Sequence, residues 1–127
     1  MNTGDTAWLL ISAALVLFMV PGLALFYGGM VRRKNVLSTL MHSFVAVPIV
    51  SILWVAFGYS LAFGPSHKGL IGDFSLAGLG SLADGAQGTT PSYAFVLFQM
   101  MFAAITPALV SGAFAERMKF RTYIAFV

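Results

Sequence analysis

The stretch "PGLALFYGGMVRRKNV", Pro21 to Val36, decides the fold. It begins inside an apolar run, crosses the adjacent Gly28 and Gly29, and stops at Arg32, Arg33 and Lys34. Charges are scarce in this chain. Only 9% of its residues are charged, against about 25% in soluble domains. So few charges cannot cover a small globular surface. Long apolar runs, interrupted at a few points by charged or glycine-rich segments, are what a bilayer requires instead. The expected fold class is an all-α integral membrane protein with three complete spans and the start of a fourth.

The first run covers about Thr6 to Val31 and carries no charged residue. As helix it rises about 39 Å, enough for a hydrocarbon core of about 30 Å. Pro21 removes one backbone donor and frees the carbonyl of Leu17, a cost that neighbouring helices absorb in a membrane protein. The second run covers about Asn35 to Phe63 and contains His42 and Pro48. Trp54 and Tyr59 lie toward its far end, where interfacial aromatics are expected. The third covers about Ser92 to Ala115. The single membrane domain over residues 1–127 therefore has spans at about 6–31, 35–63 and 92–115, and a fourth begins at about 120. From Phe120 the remainder rises only about 12 Å as helix, so the simplest expectation is the front part of a longer protein. Gly64 to Pro91 is glycine-rich but contains Leu70, Ile71, Phe74, Leu76 and Leu79. It reads as an ordered extramembrane loop with room for one short helix.

The position of the basic cluster now has a reason. Arg32, Arg33 and Lys34 follow span one, and Glu116, Arg117, Lys119 and Arg121 follow span three. The long loop between spans two and three holds Lys68, Asp73 and Asp84. The positive-inside rule puts both basic loops in the cytosol and the N-terminus outside. The glycine pair before Arg32 reads as a helix end that packs closely on a neighbour. "MNTGDTAW" lacks a basic n-region, and the first run is too long for a signal core, so it reads as a retained span.

Composition also excludes function classes. The chain has no cysteine, which rules out disulfides and cysteine-ligated metals. The basic residues sit between apolar runs and not across an exposed polar face, so no nucleic acid is expected as partner. His42 and His67 are far apart, and neither a hydrolytic constellation nor a phosphate loop occurs. No enzyme activity and no cofactor are expected.

Span three has the most informative pattern. Phe95, Phe98, Gln99, Phe102 and Thr106 recur at steps of three and four and share one helical face. Ala104, Ala108 and Gly112 form a second stripe, where small side chains let a neighbouring backbone approach. The aromatic face has two readings: packing against lipid or core, and a wall that attracts a cation through its ring faces. Spacing alone does not choose between them. His42, two turns from the basic cluster, lies near an interface, where water or a backbone carbonyl satisfies it.

"PGLALFYGGMVRRKNVLS", "LWVAFGYSLAFG" and "FQMMFAAITPALVSGAFAERMKF" together resemble the ammonium transporter family (Amt/Mep type) over nearly the whole chain. The resemblance implies the N-terminal part of an eleven-helix protein with its N-terminus outside, built from two inverted halves around a narrow apolar pore. It implies ammonium or ammonia as substrate, and a multi-pass position among the lipids of the cell membrane. It further implies a homotrimer at full length, and a PII-type regulatory protein on the cytosolic face. By the same resemblance, Phe102 of "FAAIT" matches one of two stacked phenylalanines that gate the pore from outside. Phe98 matches an aromatic beside the external recruitment site, and Phe26 and Tyr27 match residues near the cytosolic mouth. The family's external site also uses a tryptophan and a serine from later helices, and its pore centre uses a histidine pair on the fifth and tenth helices. None of those segments is in this sequence, and His42 is not one of that pair. The competing readings are an ammonium sensor, the related Rhesus-type channel, which "FYGGMVRRKNVLS" and "AERMKF" resemble less, and a non-conducting fragment.

Overall fold

The structure, a computed structural model, describes residues 2–83, 85–114 and 117–127. The expected end of span three at Ala115, and Asp84 and Glu116 of the charge pattern, lie outside the described residues.

Helix α1 runs Thr3–Met30. It starts there because the Asn2 side chain accepts from the backbone N–H groups of Gly4 and Asp5, at 2.9 and 3.3 Å, satisfying two of the first-turn donors. It does not end on a left-handed glycine. Val31 stops it in extended geometry, with φ −102° and ψ 168°. Of the glycine pair, Gly28 is buried and faces Leu40, whereas Gly29 is exposed. Only one member of the pair therefore faces another helix.

A short 3-10 turn, Arg33–Asn35, carries the basic residues into helix α2, Val36–Leu53. Trp54–Gly58 widens into a π-helical stretch and continues as α3, Tyr59–Phe63. Helix α4 runs Ser92–Val110, followed by a 3-10 turn at Ser111–Phe114. Helix α5 covers Phe120–Phe126. Three helical stretches, Thr3–Met30, Arg33–Phe63 and Ser92–Phe114, are long and apolar enough to cross a membrane. Pro21, Pro48 and Pro107 all sit inside helices, as membrane spans tolerate when neighbours satisfy the freed groups.

Helices α1, α2 and α4 pack on one another pairwise. Their contact faces are small: Ala13, Ala24, Ala46, Ala104 and Ala108 are buried, while Trp8, Phe18, Leu37 and Ile52 point outward. A soluble bundle would place its large residues inside. Small residues inside and large ones outside is the membrane arrangement, because lipid is as apolar as leucine and helices associate by close approach. Two hydroxyls within the spans donate back to their own helix, Ser12 to the Trp8 carbonyl at 2.8 Å and Ser51 to the Val47 carbonyl at 2.7 Å, which keeps those protons from facing hydrocarbon.

The loop contains more structure than one short helix. Strands β1 (Ser66–His67) and β2 (Ile71–Gly72) form one antiparallel hairpin, and β3 (Ala86–Gln87) and β4 (Thr90–Pro91) form another. Between them a 3-10 segment, Ala77–Leu82, places Leu79 at φ 62°. That left-handed position is uncommon for a residue with a Cβ. Here it drives the Leu79 side chain into a buried cluster with Tyr59 and Val96. Tyr59 is consequently covered by the loop, and does not sit open at an interface as its place near the end of a span implied.

One serine fastens the loop to the helix end. Ser60 donates to the Asp73 carbonyl at 2.5 Å and accepts from the Leu76 N–H at 3.0 Å. A Cβ at Gly72 would overlap the Ser60 and Leu61 carbonyls, so only glycine lets the hairpin lie this close.

Candidate functional site

Two aromatic pairs contain the four residues singled out from the sequence. Phe98 and Phe102 are one turn apart on α4, and their rings meet edge to face with centroids 5.2 Å apart and planes at 78°. That geometry sets the positive edge of one ring against the negative face of the other. Phe98 is half-buried and packs on Ala13, Val16 and Met101. Phe102 is 44% exposed. Below it Thr106 donates to the Phe102 carbonyl at 2.8 Å, so the threonine hydroxyl proton is already committed to the helix.

The other pair is Phe26 and Tyr27 on α1, with centroids 5.9 Å apart and planes at 47°. Phe26 is 63% exposed. Tyr27 is half-buried and anchored: its hydroxyl donates to the Leu109 carbonyl at 2.8 Å, and its ring lies over Gly112. Leu109 is about 10 Å along α4 from Phe102. The two pairs therefore stand at different depths, with the anchored Tyr27 at the Gly112 end.

The five-residue aromatic face of span three does not act as one surface. Phe95 leaves it, joining the cluster of Tyr59, Leu79 and Val96 and meeting Phe63 edge to face at 5.4 Å. Gln99 is half-buried, and Phe102 and Thr106 remain exposed. The small stripe behaves as a packing face. Ala104 and Ala108 are buried, and a Cβ on Gly112 would come within 2.7 Å of the Tyr27 ring. His42, read from sequence as satisfied near an interface, gives its Nδ1 proton to the Ser38 carbonyl at 2.6 Å.

Sequence reasoning did not find the Tyr27–Leu109 bond or the partners of His42, which are the rings of Tyr123 and Phe120 with centroids 4.6 and 5.6 Å away. The first left one signal: a glycine at the end of a small-residue stripe needs something large opposite it. The second depends on how α5 folds back on α2, which no local pattern encodes.

The pattern of the Ammonium Transporter Family matches residues 7–127. The chain belongs to the ammonium transporter family. This family member is 52% identical to an ammonium transporter of Bacillus subtilis, over 99% of its own length and 32% of the relative's. It is 46% identical to an ammonium transporter of Aquifex aeolicus, over 99% of itself and 30% of the relative. Among solved structures it superposes on Mep2 of Saccharomyces cerevisiae with TM-score 0.86 and 33% identity, covering 99% of this chain and 29% of that one. It superposes equally on a structure named "Sensor Amt Protein", with TM-score 0.87 and 33% identity, over 95% of this chain and 29% of that one. The ammonium-transporter chain thus spans about a third of the length of the curated relatives it matches. Its fold is the corresponding part of an Amt/Mep transporter, a multi-pass membrane protein.

Proposed function

We propose that the complete protein containing this chain moves ammonium or ammonia across the cell membrane through a narrow apolar pore, with its N-terminus outside and three copies per assembly. No bond is made or broken beyond proton exchange, so the protein is a transporter and not an enzyme. The observation that carries this reading is the edge-to-face Phe98–Phe102 pair, one turn apart on α4 beside the packed small stripe. Removing the hydration shell of a small cation in a low-dielectric path is costly. Ring faces offset about 0.5–2 kcal/mol of that each. Phe98 and Phe102 would receive the cation from outside, and Phe102 would gate the path. Phe26 and Tyr27 would line the cytosolic mouth, with Tyr27 held in place by Leu109. A PII-type protein would regulate transport at the basic cytosolic loops.

The test is uptake of ammonium by the intact protein in proteoliposomes, against empty liposomes. Saturable uptake supports transport. Binding without uptake favours the second reading, an ammonium sensor, which the superposition on the structure named "Sensor Amt Protein" keeps in view.

A further inference from the structure

An open groove of about 420 Å³ lies on the outside of the bundle, between the start of α2 and the start of α5. Lys34, in the turn that leads into α2, stands at its polar end. Leu37, Ser38 and Met41 form one wall, one and two turns further along the same helical face. The ring of Phe120 forms the other wall. It is held there by the His42 ring, which it meets edge to face with centroids 5.6 Å apart. Leu37 is 73% exposed and Met41 47%. Phe44, also exposed, continues this stripe at the next step. From Lys34 to Phe44 the helix rises about 15 Å, which is one leaflet of a hydrocarbon core of about 30 Å.

Charge at this end is strongly one-sided. In the sequence, Arg32, Arg33, Lys34, Arg117, Lys119 and Arg121 flank the starts of α2 and α5 against the single carboxylate Glu116. A cation at headgroup level, above an apolar wall one leaflet long, matches a molecule with an anionic head and a hydrocarbon tail. We propose that this groove is a binding site for an anionic phospholipid of the leaflet at the Lys34 end, which is the cytosolic leaflet on the orientation proposed above. The Lys34 ammonium donates to the lipid phosphate, a charge-assisted contact. Ser38, one turn deeper, brings a hydroxyl to the level of the glycerol esters. One acyl chain lies between Leu37–Met41 and Phe120, continuous with the lipid-facing surface of the span. Basic pockets between spans hold lipid headgroups in this way. A protein segment laid over the groove would have to cover Lys34 as well, and lysine is depleted from the centres of protein interfaces.

The test uses the full-length protein in phosphatidylcholine nanodiscs. These carry a small fraction of phosphatidylglycerol with a photoreactive acyl chain, or phosphatidylcholine with the same chain. After irradiation and digestion, mass spectrometry locates the attached lipid. Phosphatidylglycerol should label residues 37–44 and Phe120 several-fold more than phosphatidylcholine does. Lys34→Gln should lower that preference about fivefold, the share of one basic residue at a membrane surface, and Lys34→Arg should retain it. Ser38→Leu, which fills the groove, should lower the labelling. Arg33→Gln, a charge on the same surface but outside the groove, should leave it unchanged. Absence of label on these residues would overturn the proposal and mean that another part of the protein or a second copy covers them. Equal labelling by the two lipids would leave only ordinary bilayer contact, and equal losses in Lys34→Gln and Arg33→Gln only a diffuse surface attraction. Where Lys34→Gln does not fold, the two-lipid comparison on the wild type and Ser38→Leu decide the question.

Discussion

Gly112→Ala is the perturbation whose cost is most readily worked out from the structure. The new methyl would stand 2.7 Å from Tyr27 Cζ, 2.8 Å from its hydroxyl oxygen and 3.1 Å from Cε2. Ordinary carbon contacts begin near 3.5 Å, so the ring must retreat by roughly 0.8 Å. Its hydroxyl is held at 2.8 Å by the Leu109 carbonyl, and the retreat stretches or breaks that bond. Overpacking costs about 1–3 kcal/mol, and a lost hydrogen bond about 0.5–1.5 kcal/mol. Because the clashing atoms are the far end of a side chain, rotation relieves part of the clash, and the expected loss is about 1–3 kcal/mol in total. The assay is the thermal midpoint of the purified protein, read beside Tyr27→Phe, which removes the hydroxyl alone. Gly112→Ala should lower the midpoint more than Tyr27→Phe. The double variant Gly112→Ala with Tyr27→Ala should be less destabilised than the two single changes summed, because they share one contact. A Gly112→Ala protein as stable as wild type, or strict additivity, would refute the reasoning.

Three further outcomes are expected. Ser60→Ala removes the donor to Asp73 and the acceptor of Leu76; the loop should become more sensitive to limited proteolysis, with a loss of about 1–3 kcal/mol, and unchanged proteolysis would contradict it. The Ser75 hydroxyl, then the Ser75 N–H, hold the Asp73 carboxyl below the ordinary 3.8; a depressed folded value means this small contribution is present above the unfolded value and lost as pH falls through the folded one. Carbon-detected NMR should therefore show Asp73 titrating below the ordinary value, and a titration above it would be the wrong sign. Single cysteines at Lys34 and Ser81, treated with an impermeant thiol reagent on intact cells, should label at Ser81 only; labelling at Lys34 only would reverse the orientation.

The membrane spans were legible because an apolar run that crosses a bilayer must be long and nearly uncharged, and Arg32–Lys34 interrupts the hydropathy at the right place. Ala104, Ala108 and Gly112 were legible as a packing stripe because small residues at that spacing serve little else. The loop was not. Its two hairpins pair only two residues per strand, too short for any alternation to show, and Leu79 takes a conformation that only its burial explains. The site was legible in part. The turn between Phe98 and Phe102 fixed that they would meet. The separation of Phe95 from them required knowing that Tyr59 and Leu79 would be buried beside it. Tyr27 read as a mouth residue through resemblance alone, and its anchor on Leu109 came only with the packing of α1 on α4.

On the transport reading, the ring of Phe102 belongs to the path of the ion and not to the packing. Ammonium flux per folded protein in proteoliposomes tests it most directly, for Phe102→Leu beside Phe95→Leu on the same helix. Leucine conserves most of the volume and removes the ring face. A cation–ring attraction of about 1–2 kcal/mol corresponds to about 5- to 30-fold in affinity. A change of that order in flux or in discrimination against other cations is expected for Phe102→Leu, and near wild-type flux for Phe95→Leu. Wild-type behaviour of both variants would contradict it.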